Sequence, residues 1–148
     1  MMRYANRIFV KVFAKPEEDV EAIRGSLIKM FPFEVKLKTR KAQGFTERMI
    51  LIFEVDLEKI SETNAFLKSF LGLFSDAQRE LILSQAESRL DDRLNFFIRI
   101  DKCPWIERGK VFLTDSGDCY HVRISVAAFP HKRGVALDII HRLLSGSI

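Results

Sequence analysis

The chain has 148 residues, of which 47% are hydrophobic and 30% charged, and its formal net charge is +4. That balance excludes a disordered or collagen-like chain, and no window reaches the roughly 18 apolar residues of a membrane-spanning helix. The positive excess is compatible with an anionic partner such as nucleic acid, without requiring one.

This length suits one domain covering residues 1–148, with a core that removes about two thirds of the unfolded chain's surface from water. Cys103 and Cys119 make no disulfide framework and read as reduced thiols of a cytoplasmic protein. The opening MMRYANRIFVKVF lacks the apolar region and cleavage site of a secretory signal, in keeping with that location. Thirteen phenylalanines stand against one tryptophan and two tyrosines. Phenylalanine has no polar handle, so most of these belong to the core. They argue for base stacking only where a strand face forces them outward.

In chain order, RIFVKVFAK alternates at period two, with Ile8, Val10 and Val12 on one face and Phe9, Lys11 and Phe13 on the other. It predicts a first strand. Pro16 suits a first helical position, and Glu17, Glu18 and Asp19 supply a negative first turn, so a helix is expected over 17–30. Phe31-Pro32 ends it. FEVKLKTRK predicts a second strand, with Phe33, Val35, Leu37 and Thr39 inward and Glu34, Lys36, Lys38 and Arg40 outward. A turn at Gly44 leads to MILIFEV, whose unbroken apolar run predicts a central or doubly covered strand.

Asp56 can cap the next helix, which carries Leu57, Ile60, Leu67, Phe70 and Leu71 and ends at Gly72. Ser75 with Gln78 three residues on forms a capping-box pattern for a further helix, buried through Leu81, Ile82, Ala86 and Leu90. LNFFIRID and KVFLTD read as the fourth and fifth strands, and DSGD as a hairpin turn with Gly117 at positive φ. YHVRISVAAF predicts a sixth strand, with Val122, Ile124, Val126 and Ala128 inward. A last helix carries Val135, Ile139, Ile140, Leu143 and Leu144. The sum is an α+β fold: a single mixed or antiparallel sheet of roughly five to six strands, with about four helices packed mainly on one face.

Two groups of cations carry chemical interest. Lys36, Lys38 and Arg40 share one strand face, with Lys41 and Arg48 beside the hairpin. Alternate strand residues lie about 6.5–7 Å apart, close to the phosphate spacing of a single nucleic-acid strand. The competing reading is an edge strand guarded by lysine against aggregation. The second group is Arg123, Lys132 and Arg133, around Pro130 and His131, where a strand gives way to a helix. Helix starts favour anions, so cations there run against the dipole. They either converge with the first-turn amides on a phosphate or are simply solvated.

Cys119-x-His121 with Cys103 lacks the spacing of a zinc site, so no metal is expected. No nucleophile elbow, phosphate loop or dinucleotide glycine pattern is present, so neither an enzyme nor a cofactor is called for.

LNFFIRIDK and KVFLTDSGDCYHVRISVAAFPHKRGVAL resemble an archaeal family of predicted RNA-binding proteins or predicted exosome subunits. That family is similar in fold to the ribosomal large-subunit protein that binds 5S rRNA. RIFVKVFAKPEEDVEAI with MFP is similar to the family's opening strand and helix. The resemblance is strongest at Asp101-Lys102, at Gly109, and at Phe129-Pro130 followed by Lys132. Cys103 departs from it, since a glutamine usually follows the Asp-Lys pair, and this weighs against a role for that thiol. The resemblance brings no catalytic residues.

The expected function is a non-enzymatic module for structured or double-stranded RNA, with little sequence preference. It would use phosphate and 2′-hydroxyl contacts from Lys36, Lys38, Arg40, Lys41 and Arg48 on one side and Arg123, Lys132 and Arg133 on the other. The alternative is a protein-interaction subunit of a larger RNA-processing complex.

Overall fold

The computed structural model describes residues 1–43, 49–115 and 117–146. Strand β1 (Ala5–Ala14) buries Ile8, Val10, Val12 and Ala14 and leaves the alternate residues half-exposed, as the period-two pattern requires. Helix α1 (Val20–Lys29) starts later than Pro16 suggests, because the Asp19 carboxylate accepts from the Ala22 amide at 3.1 Å and makes Asp19 the N-cap.

Strand β2 (Lys38–Gln43) is shorter than FEVKLKTRK predicts, and Lys36 precedes it. Its expected buried face is only half-buried at Leu37, and Thr39 is exposed. Strand β3 (Met49–Leu57) pairs antiparallel with β2, with Lys38 opposite Glu54 and Gln43 opposite Met49. The expected turn at Gly44 lies outside the described residues. Asp56 remains in β3 rather than capping a helix, because the apolar run carries the strand on to Leu57. Helix α2 (Ile60–Leu71) instead has Lys59 as an N-cap with no side-chain bond, and it ends at Gly72 as expected.

Helix α3 (Asp76–Ser84) opens with both halves of the capping box, Ser75 on the Gln78 amide and Gln78 on the Ser75 amide. Leu81 is 47% exposed, against expectation. It lies about 100° round the helix from the buried Ile82. Gln85 leaves helical geometry, so a separate short α4 (Ala86–Arg89) follows.

Strand β4 (Asn95–Asp101) is as expected. Helix α5 (Lys102–Arg108) is a correction, since no element was expected there. Seven residues show no periodic stripe, and only Lys102 among them is buried. Gly109 closes α5 in the left-handed region at φ +62°, where glycine carries no steric cost. The KVFLTD segment is not a strand of the sheet. It makes one isolated bridge, Leu113 with Ile100, beside β4. Gly117 has φ +86°, as the turn pattern asked, and Ser116 lies outside the described residues. Strand β5 (Cys119–Val126) buries Val122, Ile124 and Val126, and α6 (Arg133–Leu144) buries Ala136, Ile139, Ile140, Leu143 and Leu144.

The fold is α+β, with one antiparallel sheet of order β2-β3-β1-β5-β4. Six helices, rather than about four, occur among the described residues. The chain forms two compact units. One comprises Met1–Ile8, Leu57–Ile98 and Arg123–Ile148, and the other Phe9–Asp56 and Arg99–Val122. In the first, α6 packs on α2, α3 and α4. Phe66 stacks on Phe70 at 5.1 Å, and Phe70 meets Phe74 edge-on at 5.2 Å, three rings at helical spacing. In the second, α1 packs on α5 over a core that includes Val10, Val12, Ile23, Leu27, Phe53 and Tyr120.

Candidate nucleic-acid interface

Strand β2 lies at one end of the sheet order and exposes Lys38, Thr39, Arg40 and Lys41. Residues opposite one another in an antiparallel pair share a face. Lys38 and Arg40 thus share one face, that of Glu54 and Ile52, and Lys41, opposite Leu51, lies on the other. Arg40 is committed: its Nε donates to Glu54 Oε1 at 2.6 Å and its Nη2 to Oε2 at 3.3 Å. Glu54 is only 7% exposed, so this fork neutralises a carboxylate that has little water. The hydrogen bond and the charge of Glu54 raise the Arg40 pKa further. Lys36 is exposed just before the strand. Arg48 lies outside the described residues.

The second expected group belongs to the other compact unit. Arg123 is half-buried on β5, between the buried Val122 and Ile124. Phe129, Pro130, His131 and Lys132 are all exposed, Phe129 by 95%. The Lys132 amide turns back to the Pro130 carbonyl at 2.8 Å. Arg133 has a structural partner. Its Nη1 donates to the Leu90 carbonyl at 3.1 Å and its Nη2 to the Glu87 carbonyl. Those carbonyls belong to the C-terminal end of α4, where unpaired acceptors gather and a cation is favoured. The charge that runs against α6's own dipole therefore serves the dipole of its neighbour.

A third arrangement, in the unit of β2, was legible only as an alternation. Phe9, Lys11 and Phe13 are half-exposed on β1. Lys11 Nζ stands 5.5 Å from the Phe13 ring centroid, and the His121 ring meets Phe13 edge-on at 6.1 Å. Burial first, then the charges of Lys11 and Arg99, hold the His121 imidazole below its ordinary range. Cys119 lies 3.6 Å from His121 Nε2, and burial pushes its thiol pKa up, so it stays protonated at neutral pH. Cys103 is exposed and unbridged. Among the described residues no group of three His, Cys, Asp or Glu could hold a metal ion.

The Phe13 backbone also meets an ionic cluster. Lys102 is 1% exposed, and its Nζ donates to the Phe13 carbonyl at 2.8 Å, to Glu18 at 2.9 Å and to Asp118 at 2.9 Å. Lys15 reaches Asp118 at 3.4 Å. Burial alone would raise the Asp118 carboxyl, but the hydrogen bond and charge of Lys102, with Lys15, outweigh it and hold the pKa below the usual range. Nearby, the Tyr120 hydroxyl bonds to Ser26, and burial pushes its pKa up to about 12. Trp105 donates to the Ser26 carbonyl at 2.8 Å. These are hydrogen-bonded buried polar groups with packing roles.

The model of a family described as RNA binding matches residues 7–126. The chain belongs to that RNA-binding family. It is similar, at 29% identity over 147 residues, to RNA-binding protein PAB1135 of Pyrococcus abyssi, and the match covers 96% of this chain and 95% of the relative. It is also similar to the crystal structure of a DUF54 protein from Archaeglobus fulgidus. The TM-score is 0.85 at 32% identity, over 94% of this chain and 99% of that one. A DUF54 structure from Methanothermobacter thermautotrophicus gives a TM-score of 0.79 at 26% identity, over 95% and 98%. The archaeal RNA-binding family inferred from the Asp101-Lys102 and RIFVKVFAK segments is thereby met at family level. The matched stretch of the RNA-binding family contains β2 and the Phe9–Phe13 face and stops before Phe129.

Proposed function

We propose that the protein is a non-enzymatic RNA-binding module that holds structured RNA mainly by its phosphates. The observation that carries this reading is the match of residues 7–126 to the RNA-binding family. The exposed Lys36, Lys38 and Lys41 support it as one contact, because lysine is a mobile point charge suited to phosphate. Lys132 and Arg123 make the second. Arg40 and Arg133 contribute mainly by holding Glu54 and the end of α4 in place, so the phosphate contacts fall to the lysines.

Binding is then salt-sensitive and sparing of sequence. Each phosphate neutralised contributes a slope of about 0.7–0.9 in log affinity against log salt. Filter binding of a structured RNA across a salt series, with wild type and with Lys36, Lys38 and Lys41 reversed to Glu, tests this. The reversed variant should bind at least about tenfold more weakly at low salt and show a flatter slope. Equal affinity and slope would remove the lysine contact from the proposal.

A second reading is a subunit of a larger RNA-processing complex that meets protein rather than RNA. Phe129, 95% exposed, favours it. Scattered exposed apolar residues are normal, however, and a docking surface needs a contiguous patch. Co-purification of a protein partner that survives nuclease treatment would favour this reading over direct RNA binding.

A further inference from the structure

Phenylalanine on the wet face of a strand asks for a reason, because it is among the residues most often buried. Here β1 places two of them, Phe9 and Phe13, with Lys11 between, on its half-exposed face. Alternate residues on a strand are about 6.5–7 Å apart, so rings and cation alternate along one line. His121 meets the Phe13 ring edge-on from β5, and Lys11 leans over it. Arg99 is exposed on β4. It donates to the Asp115 carbonyl at 2.9 Å, a neutral acceptor. Neither Lys11 nor Arg99 forms an ion pair among the described residues. Burial first, and then the charges of Lys11 and Arg99, hold the His121 pKa down.

Cross-strand packing alone would explain aromatic contact, but not aromatics interleaved with cations that form no ion pair among the described residues. A nucleotide has both complements: a base with a π-face for a ring, and a phosphate for a cation. A paired base inside a duplex cannot reach such a surface, whereas an unpaired one can. We propose that Phe9 and Phe13 stack unpaired bases of RNA while Lys11 and Arg99 take the adjoining phosphates, with His121 walling the platform. This rests on the RNA-binding reading and adds to it the class of RNA segment recognised: unpaired nucleotides in a loop, bulge or end.

The test uses the full chain and two labelled probes, a ten-nucleotide single-stranded RNA and a blunt twelve-base-pair RNA duplex. Wild type should prefer the single strand. The double variant Phe9→Leu with Phe13→Leu keeps apolar bulk and removes the rings. It should lose about 5- to 100-fold in single-strand affinity, with its salt slope unchanged and duplex affinity held within about twofold. Lys11→Gln should instead lower the single-strand salt slope by about 0.7.

Phe13→Trp guards against a folding artefact. It retains a ring, so it should bind as well as wild type, and the emission it adds to that of Trp105 in the wild type should be quenched by the single strand and not by the duplex. If wild type binds neither probe nor the structured RNA of the salt series, the RNA-binding reading itself fails, whereas binding of the structured RNA alone overturns the platform. If wild type binds but the leucine variant binds the single strand equally well, RNA binding stands and the platform is overturned. Equal loss on both probes, or no quenching of Phe13→Trp, overturns the platform as well.

Discussion

Lys102 sits 1% exposed with three acceptors around its ammonium, and the environment of each decides what its removal does. Lys102→Met keeps the aliphatic stem but removes one donor from the Phe13 carbonyl and from the Glu18 and Asp118 carboxylates, leaving Glu18 with the Lys15 amide and Asp118 with the Lys15 ammonium. The side chains of Glu18 and Asp118 are 26% and 39% exposed, so water recovers part of the loss. The expected destabilisation is about 1–3 kcal/mol in denaturant melts at neutral pH. It should shrink only as pH falls through the depressed pKa of Asp118, whose protonation in the wild type removes one ionic partner of Lys102. A variant as stable as wild type at pH 7 would mean that the cluster contributes nothing net, as some buried ion pairs do. Sequence gave Lys102 only as part of a family resemblance. Its partners lie 84 and 16 residues away and no local pattern links them, which is why the cluster was illegible. The Ser75–Gln78 capping box, a contact over three residues, was fully legible.

At the scale of elements, the instructive case is the start of α6. Its alternation and helical stripe could be read directly, and Ile139, Ile140, Leu143 and Leu144 are buried as the spacing demands. The meaning of Arg133 could not be read, because its partners lie on α4, an element that sequence merged into α3. Arg133→Gln should cost about 1 kcal/mol by leaving the last carbonyls of α4 without their cation. Amide exchange of residues around 86–90 should quicken while the centre of α2 stays protected. If those amides are unaffected, the contact is incidental. The basic strand was legible in the same partial way. Its exposed lysines and their division between two faces follow from the alternation, but the commitment of Arg40 to Glu54 follows only from the fold.

Across the whole molecule, the shifted groups fix a pH window. His121 and Asp118 titrate lower in the fold than when unfolded, so they contribute stability above their unfolded values. That stability is lost as pH falls, first below about 6.5 for His121 and then below about 4 for Asp118. Cys119 and Tyr120 are raised, so their contribution is complete below their unfolded values and fades as pH rises past about 9 and 10. The melting temperature should therefore plateau between about pH 7 and 9 and fall on both sides. A maximum near pH 4–5 would contradict these environments. His121→Gln should flatten the first step of the acid limb. The fold itself was largely legible at this scale, because five of the six expected strands carry clear period-two or continuous apolar patterns and appear in the sheet. The remaining one, KVFLTD, has the composition of a strand but finds only one bridging residue, and composition alone does not supply a ladder.

The Phe13 carbonyl, bound by Lys102, bears on the entropy of recognition. One end of β1 is clasped by an ion cluster before any ligand arrives. A ring whose backbone is already immobilised loses little freedom when something stacks on it, so less of the contact energy is spent on ordering the site. Weakening the clasp, by acid or by Lys102→Met, should thus appear in calorimetry as a larger entropic penalty for binding a single strand, even where the rings themselves are untouched.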